Sequence, residues 1–452
     1  MKNISIWSDN KFINYPKLEE NKNIDVLIIG GGITGVSALY HLKDSRLNVI
    51  LVEQNKIAMS TTGNSTGKLS FLQNDLIDKI RENNGSKKAS LYLKSQIDTI
   101  NDINNVIKEN KIDCDIKKVD SFLYTNKDDE VEKLKNLELF LNKNNIKVYH
   151  DDVNLALKKY IINVKDTYVF NPVKFVYGII KEKSNIYENT SIRKIEYKDG
   201  YYICYTDNGY VIKSKYVVLA SHYPYFTIPY MFPLKASLEK SYISALKMKI
   251  KPISLISYSN PFISIRTYKD YLVYLSNSHM INKDCCDKKH FNELLKKISD
   301  LNLKPDYLWC NIDVMTKDGL PIIGKLKDNF LIATGYNTWG LTTGFLAGKI
   351  LSDIILKKKN KYIKLFNPKR NGLYDAKTIK NSMEGYLSGM LNGTSYKCPH
   401  LGCKLVYNEV NETYDCPCHG SRFDKDGRCI SSPSNKNIKI KKDWEINLFF
   451  YV

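Results

Sequence analysis

The chain has 452 residues, ten cysteines and a formal net charge of +20. This length predicts about two or three domains. Lysine is spread along the whole chain without an arginine-rich helix, so the charge indicates solvated surface lysines and argues against nucleic-acid binding, while an acidic redox partner stays open. No stretch approaches the roughly eighteen apolar residues of a membrane span, and the N-terminus is polar. We therefore expect no integral membrane segment and a cytoplasmic location.

The first element is an apolar strand over residues 24–29, which runs straight into the glycine-rich segment 30–35. A helix is predicted over residues 36–42, so the pattern is G-x-G-x-x-G between a strand and a helix, as dinucleotide-binding proteins have it. Gly30 permits the tight turn, Gly32 lets the backbone approach a pyrophosphate, and Gly35 allows close helix packing. A second strand over residues 48–52 ends in Glu53, where a carboxylate accepts hydrogen bonds from a ribose.

Two further segments are rich in glycine and hydroxyl groups. Residues 60–68 form a loop that wraps a flavin with backbone donors, or else a plain surface loop. Far downstream, residues 316–324 precede a strand over 330–333, and residues 334–342 then open a helix over 343–356. This is a second glycine-rich passage from a strand to a helix.

The middle of the chain alternates between helical and strand patterns. Helices are predicted over residues 75–110, 127–145 and 171–183, and strands over 186–196, 201–206, 210–213 and 216–220. Asp207-Asn208-Gly209 is a strong hairpin turn. A second hairpin over residues 264–268 and 271–275 belongs to a sheet expected within 222–315.

Residues 20–360 resemble the FAD-dependent oxidoreductase family that includes D-amino-acid, glycine and sarcosine oxidases. The resemblance implies FAD as cofactor and a substrate that is oxidised at a carbon beside nitrogen. The implied FAD-binding residues are Gly30, Gly32, Ile33, Thr34, Gly35, Glu53, Thr61, Thr62, Gly63, Ala220, Gly335, Gly340, Leu341 and Thr342. Catalytic residues stay unassigned. Candidates by location alone are His222, Arg266, Tyr307 and Trp309. The alternative for His222 is a structural or surface histidine, and that for Arg266 is a solvated or salt-bridged side chain.

Two short loops near the C-terminus carry metal-ligand residues. Cys398 and His400 stand in the first loop, and Cys416 and His419 stand in the second. Two thiolates and two imidazoles are the ligand set of a Rieske [2Fe–2S] cluster, and also of a structural zinc site. Because each loop supplies one cysteine and one histidine, whereas zinc modules pair like with like, the pattern favours the Rieske cluster.

The loops are similar to those of Rieske proteins of the cytochrome bc type. This resemblance implies a disulfide between Cys403 and Cys418, and the whole chain resembles flavoproteins that are fused to a C-terminal Rieske domain. Two departures stand out. The segment 393–452 is short for a Rieske domain, and Phe423 stands where high-potential members have a tyrosine. Since hydrogen bonds to cluster sulfur raise the potential and Ser421 alone remains as donor, we predict a potential below that of respiratory Rieske centres.

The predicted fold class is α/β (α+β): a two-domain FAD-binding Rossmann-type fold with an antiparallel substrate sheet, plus a small all-β Rieske module at the C-terminus. Residues 1–365 are assigned to the oxidoreductase domain, 366–392 to a linker and 393–452 to the Rieske module. Within the first domain, the FAD-binding parts are about 20–75, 171–221 and 316–357, and the substrate-side parts are about 76–170 and 222–315.

The predicted function is oxidation of a small amine or amino-acid-like substrate at FAD, with single electrons passing through the cluster to an acceptor protein or a quinone. The alternative is a redox relay or sensor without a small-molecule substrate. A Rieske oxygenase needs a mononuclear iron held by two histidines and a carboxylate. The remaining histidines show no paired ligand spacing: His41, His150, His222, His279 and His290. The other six cysteines read as reduced thiols: Cys114, Cys204, Cys285, Cys286, Cys310 and Cys429.

Overall fold

The structure is a computed structural model that describes residues 1–9, 12–151, 153, 158–181, 185–224, 232–259, 262–281, 287–300, 302–374 and 376–440. Cys285, Cys286 and residues 441–452 therefore lie outside the described residues. The strands are β1 Lys22–Ile29, β2 Val49–Val52, β3 Lys68–Leu69, β4 Lys117–Thr125, β5 Tyr160–Val169, β6 Ile186–Tyr187, β7 Ile192–Lys198, β8 Tyr201–Thr206, β9 Val211–Leu219, β10 Ala236–Lys247, β11 Ser254–Ser257, β12 Ser264–Tyr268, β13 Tyr271–Met280, β14 Pro305–Thr316, β15 Ile322–Lys327, β16 Phe330–Thr334, β17 Val406–Asn408, β18 Thr413–Asp415, β19 Arg422–Asp424 and β20 Cys429–Ser431. The helices are α1 Ile33–His41, α2 Leu76–Asn84, α3 Ser86–Glu109, α4 Asp128–Lys143, α5 Pro172–Ile180, α6 Phe232–Lys235, α7 Asp287–Ser299, α8 Gly340–Ile355 and α9 Ala376–Leu391.

The first sheet is the dinucleotide-binding layer. Its strand order is β15-β16-β9-β1-β2-β6, and β1 lies parallel to both β2 and β9. Because both faces of β1 are covered, its second half is fully buried and apolar, as the sequence predicts. Helix α1 packs against α8 at very close range: a Cβ added to Gly348 would lie 2.5 Å from the backbone nitrogen of Ala38.

The second sheet is the substrate-side layer. Its order is β14-β10-β13-β12-β11-β4-β5-β3, and its pairs are antiparallel except β11 with β4. The long pair of β10 and β14 runs from Ala236 opposite Thr316 to Leu246 opposite Pro305. Side chains of β10 and β14 alternate across this sheet, so one face of the pair points toward the dinucleotide layer and the other toward α7.

The third sheet is small and antiparallel, in the order β17-β18-β19-β20. Its core contains the buried side chains of Cys398, Cys403, Leu405, Cys416, Phe423 and Cys429. Helix α9 packs on it: the Tyr386 hydroxyl donates to the Leu401 carbonyl (3.2 Å), and the Gly389 carbonyl accepts from the Lys404 N–H (2.8 Å). This layer is the all-β module that the fold class predicts.

Three elements differ from the sequence-based prediction. The helix predicted over 75–110 is two helices, because Gly85 adopts a φ of +80° between α2 and α3. The strand predicted over 186–196 is interrupted between β6 and β7, whereas the two strands predicted over 210–220 form the single strand β9.

In the part of the chain that is described, none of the helices has the length and apolarity needed to cross a bilayer.

Candidate functional site

A cavity of about 510 Å³ lies where the first two sheets meet. Its wall comes from all three layers: the glycine turn after β1, the cavity face of β10 and β14, and the loop of residues 430–435 in the third. Ten of the predicted FAD-binding residues line it: Gly30, Gly32, Ile33, Thr34, Glu53, Thr61, Thr62, Ala220, Gly340 and Leu341.

The glycine turn has the geometry that a dinucleotide needs. Gly30 has a φ of +112°, and a Cβ there would lie 2.5 Å from the Ala220 carbonyl oxygen. A Cβ on Gly35 would lie 2.0 Å from the Gly30 carbonyl oxygen, so α1 could not start this close to β1 with any other residue. The N-terminus of α1 therefore opens onto the cavity, where its N–H groups favour a pyrophosphate.

Glu53 stands at the end of β2 and faces the cavity. Its carboxylate accepts the Gly31 N–H (2.7 Å) and the Asn55 N–H (2.9 Å), so it also fixes the glycine turn. Burial raises the pKa of Glu53 above its usual value, although the Gly31 and Asn55 N–H groups oppose this shift. The remaining lone pairs of this carboxylate suit the hydroxyls of a ribose.

The loop 60–68 and the start of α8 close the end of the cavity that lies away from Glu53. The Thr62 hydroxyl accepts the Ile33 N–H (3.0 Å), and the Thr34 hydroxyl contacts the Tyr336 hydroxyl (2.8 Å). Four predicted FAD-binding residues do not line the cavity: Gly35, Gly63, Gly335 and Thr342. They lie behind its wall, where a Cβ on Gly63 would meet the Ala58 carbonyl oxygen at 2.4 Å.

Three of the four candidate catalytic residues have structural partners. The buried Arg266 guanidinium donates to the carbonyl oxygens of residues 66, 67 and 170. The Tyr307 hydroxyl donates to Asp9 at the surface (2.7 Å), and the Trp309 indole donates to the Asn64 carbonyl (3.0 Å). His222 is different, because it lines the cavity and its buried Nε2 atom has no hydrogen-bond partner among the described residues. Burial lowers the pKa of His222 to about 4, so the imidazole is neutral at pH 7.

Two charged residues on the sheet side of the cavity were not predicted from the sequence. Asp313 lies on β14 beside Asn311, and both side chains line the cavity. Burial, reinforced by the charge of Glu239, raises the pKa of Asp313 to about 7. Lys68 is buried, lines the cavity and donates to the Leu255 carbonyl (2.8 Å). Burial and the charge of Arg266 hold its pKa well below the usual value. The sequence signal for Asp313 is its spacing of two residues from Asn311, which places two polar side chains on one face of a mostly apolar strand.

The four predicted cluster ligands converge between two similar turns. The Gly402 N–H donates to the Cys398 carbonyl (2.9 Å), and the Gly420 N–H donates to the Cys416 carbonyl (3.0 Å). Both glycines have positive φ, which lets the chain double back after each pair of ligands. The rings of His400 and His419 lie with their centroids 5.1 Å apart and nearly perpendicular, and Cys403 is joined to Cys418 by a disulfide.

The donor set fits a [2Fe–2S] cluster. Within the described part of the chain, the Nδ1 atom of His419 is buried without a hydrogen-bond partner, as expected of an atom that binds iron. Burial lowers the pKa of His400 to about 4 and that of His419 to about 3, so both imidazoles are neutral, the form that binds metal. Cys416 donates a hydrogen bond to Cys398, and this bond lowers the pKa of Cys398 to about 7. Ser421 also hydrogen-bonds Cys398.

Two other groups resemble metal sites but lack suitable chemistry. The sulfur atoms of Cys403, Cys416 and Cys418 lie within 4.8 Å of one another, but two of them are tied up in the disulfide. His279 and His290 stack with ring centroids 3.9 Å apart. Because imidazole binds metal in its ring plane, stacked rings do not converge on one ion. The nearby Asp287 carboxylate already accepts from Lys240, Tyr242 and Asn408.

This fold and this site define a flavoprotein oxidoreductase that carries a Rieske centre. The sequence profile of the FAD dependent oxidoreductase family matches residues 25–354, and the chain belongs to that family. The profile of the Rieske [2Fe-2S] domain matches residues 374–442, which includes α9. The cofactors are accordingly FAD and a [2Fe–2S] cluster.

Some relatives share both parts of the chain, and others share only one of them. YhfW of Bacillus subtilis, described as a Rieske 2Fe-2S iron-sulfur protein, is 28% identical over 94% of this chain and 95% of its own length. Gamma-glutamylputrescine oxidoreductase of Escherichia coli is 23% identical over 77% of this chain and 87% of its own length.

Solved structures have the same fold over the first two layers. Glycine oxidase of Geobacillus kaustophilus superposes with a TM-score of 0.64 and 15% identity, covering 78% of this chain and 100% of its own. L-amino acid deaminase of Proteus vulgaris gives a TM-score of 0.65 and 15% identity, covering 80% of this chain and 100% of its own.

Proposed function

We propose that this protein oxidises a small amine or amino-acid-like substrate at FAD and passes the electrons singly through its Rieske cluster to an external one-electron acceptor. The observation that carries the proposal is a single cavity whose wall includes the glycine turn, the substrate-side sheet and the loop 430–435 of the Rieske module. In this arrangement a substrate on the sheet side and the Rieske module on the other side both border the dinucleotide site.

The charges on the sheet side support an amine-bearing substrate. Asp313 offers a carboxylate to an ammonium group, and Lys68 offers an amine to a carboxylate. Arg266, Tyr307 and Trp309 already have structural partners, so the proposal gives them no role in binding the substrate. Because Asp313 lies on β14 and the Lys68 amine contacts Leu255 on β11, four strand spacings or about 19 Å away across the sheet, one substrate would reach both residues only if its amine and its carboxylate stood far apart. The relatives named as acting on glycine, L-amino acids and gamma-glutamylputrescine favour the same class.

The chain's own residues hold the substrate and remove its proton, and they form no covalent bond to it. When bound, the flavin supplies the acceptor for a hydride from the carbon beside nitrogen. Asp313 holds the amine and, because its pKa is about 7, accepts a proton from an ammonium group near neutral pH. Apolar side chains such as Ile243, Ile256 and Leu275 line the cavity and exclude water from the reacting carbon.

The experiment that tests the proposal is an anaerobic titration with candidate amines and amino acids. Flavin absorbance and the EPR signal of the cluster are followed together. We expect a substrate to bleach the flavin and a Rieske-type signal to grow in step. A Lys68→Met variant separates the two substrate classes, because it should weaken the binding of substrates that carry a carboxylate but not that of simple amines.

The alternative is a redox relay that exchanges electrons only with carrier proteins. It predicts that no amine bleaches the flavin, and that only a ferredoxin-like carrier or a pyridine nucleotide produces the cluster signal. A cytoplasmic location and an acceptor that is either a protein or a quinone stay predictions of the same proposal.

A further inference from the structure

The Rieske module is held against the oxidoreductase domain by a buried ionic network. The Lys240 ammonium on β10 lies between the carboxylates of Asp287 and Asp415, 2.7 Å from the latter, and its side chain is 5% exposed. Asp415 on β18 also pairs with Arg422 on β19 (3.1 Å). Since removing one partner of such a network leaves a buried charge uncompensated, the contact favours one docked position.

Hydrogen bonds fix the same module at the edge of the cavity. The Ser432 hydroxyl donates to the Ser221 carbonyl (2.6 Å), and the Asn435 side chain donates to the carbonyls of Ile192 (3.0 Å) and Arg193 (3.1 Å). Ser431, Ser432 and Asn435 line the cavity themselves. The Rieske module therefore completes the wall of the cofactor site.

The cluster ligand His419 lies next to this wall. Its ring packs against Tyr223, with the centroids 6.0 Å apart. Tyr223 is buried and directly follows His222, which lines the cavity at the end of β9. Gly420, the next residue after His419, is so close to β10 and β14 that an added Cβ would lie 3.0 Å from Leu238 and 3.6 Å from Ile312.

We infer that the Rieske module stays docked during turnover and receives electrons from the flavin of its own chain across the junction formed by His222, Tyr223 and His419. The inference rests on the proposed function for the source of the electrons. Each substrate oxidised delivers two electrons, and a [2Fe–2S] cluster carries one at a time. Two successive transfers therefore cross the junction per turnover, the external acceptor takes two single electrons, and the substrate's protons go to solvent.

The test reduces the flavin by exciting it directly with blue light while EDTA serves as the electron donor, so that no substrate is needed. The growth of the cluster's reduced signal is then timed at several protein concentrations. A docked junction within one chain gives a first-order rate that does not change with concentration. A rate that rises in proportion to concentration would mean that electrons pass between molecules, and would overturn the inference. Failure of every candidate amine would leave this test unaffected.

Two lysines provide a matched pair of variants. Lys240→Met removes the buried cation, and we expect the equilibrium constant for docking to fall by on the order of a hundredfold. Hydrogen exchange at β17 and β18 should rise and the transfer rate should drop. Lys288→Met removes an ion pair with Glu409 whose two side chains are about 60% exposed, so docking and rate should stay as in the parent protein. A freely exchanging module in Lys240→Met with an unchanged transfer rate would contradict a docked junction.

A second pair covers the case in which Lys240→Met does not fold. Tyr223→Phe keeps the ring between the cavity and His419 and should keep the transfer rate. Tyr223→Ala removes that ring and should slow the transfer, while the FAD content and the EPR spectrum of the cluster stay normal. An unchanged rate in Tyr223→Ala would exclude Tyr223 from the junction.

Discussion

Glu239 and Asp313 are directly opposite each other on the neighbouring strands β10 and β14. Burial raises the pKa of each carboxyl above its usual value, and the charge of Glu239 adds to the shift of Asp313, whereas the charge of Asp75 adds to that of Glu239. For Asp313 the pKa is about 7. A cavity residue is thereby set to change charge near neutral pH, within reach of a bound substrate.

Binding of a cationic amine should therefore depend on the ionisation of Asp313. Below about pH 7 the carboxyl is neutral and attracts the amine weakly, and above it the carboxylate binds the cation. The dissociation constant of an amine ligand, measured from flavin absorbance, should fall as the pH rises through this value. Asp313→Asn should abolish that pH dependence.

Glu239→Gln provides the control for this assignment, because it removes the neighbouring charge but keeps the Asp313 carboxyl. The midpoint of the binding curve should move to lower pH. Ionisation of Asp313 strengthens amine binding but weakens folding. Because the folded-state pKa of Asp313 is raised, its contribution to the free energy of unfolding is lost as the pH rises from the usual value of 3.8 toward 7. A midpoint that stays in place in Glu239→Gln would assign the titration to another group.

Glu53 is expected to stabilise FAD binding in two ways, through the ribose and through the glycine turn. Glu53→Ala removes the acceptor of the Gly31 and Asn55 N–H groups. Hydrogen bonds to a charged group contribute about 1.5–3 kcal/mol, so FAD should bind about tenfold more weakly or worse. Glu53→Gln keeps an acceptor oxygen and should lose less. Fluorescence titration of each variant's apoprotein with FAD measures the two affinities. Full FAD affinity in Glu53→Ala would contradict the assignment of Glu53 as an FAD-binding residue.

Arg266 is expected to matter for stability rather than for substrate. Its guanidinium donates to the buried carbonyls of Gly67 and Phe170, and it stacks on Trp7 at 5.1 Å. Arg266→Met should lower the free energy of unfolding by at least about 3 kcal/mol, because several buried carbonyls lose their donor. Lys118→Met, which removes the exposed pair with Asp166, should change it little. Unchanged stability with weakened substrate binding would instead make Arg266 a substrate ligand.

The potential of the cluster should respond to Ser421 and Phe423. Ser421 hydrogen-bonds Cys398, and Phe423 is fully buried beside the ligand cysteines without a hydroxyl to donate. Ser421→Ala should lower the midpoint potential by on the order of 50 mV, and Phe423→Tyr should raise it. Ser434→Ala keeps the backbone N–H that donates to the Ser421 hydroxyl (2.9 Å), so it is the matched control with no expected shift. The midpoint potentials of the parent protein and of these variants are measured by EPR-monitored redox titration.

Much of the fold follows from local sequence signals. Strand β1, the glycine turn and α1 are contiguous, so their pattern predicts them together, and the same holds for the two ligand loops around Cys398 and Cys416. The break between α2 and α3 was missed because Gly85 stands within an otherwise continuous helical pattern, and a single glycine does not always end a helix.

The junction between the domains could not be predicted. Lys240 and Asp415 are separated by 175 residues, and nothing in either local sequence indicates the other. Asp313 was missed for a related reason: its strand is visible in the sequence, but which face of that strand meets the cavity depends on how two sheets pack. Such contacts are set by tertiary packing, which sequence periodicity does not specify.

The most direct test of the whole account is the number of one-electron acceptor molecules reduced per substrate oxidised, in the parent protein and in Cys416→Ser. In Cys416→Ser the cluster loses a ligand, whereas the FAD cavity keeps every residue that lines it. We predict two acceptor molecules per substrate in the parent protein. In the variant we predict unchanged bleaching of the flavin by the substrate but almost no reduction of the acceptor. Equal reduction of the acceptor in both proteins would show that electrons leave the flavin without passing through the cluster.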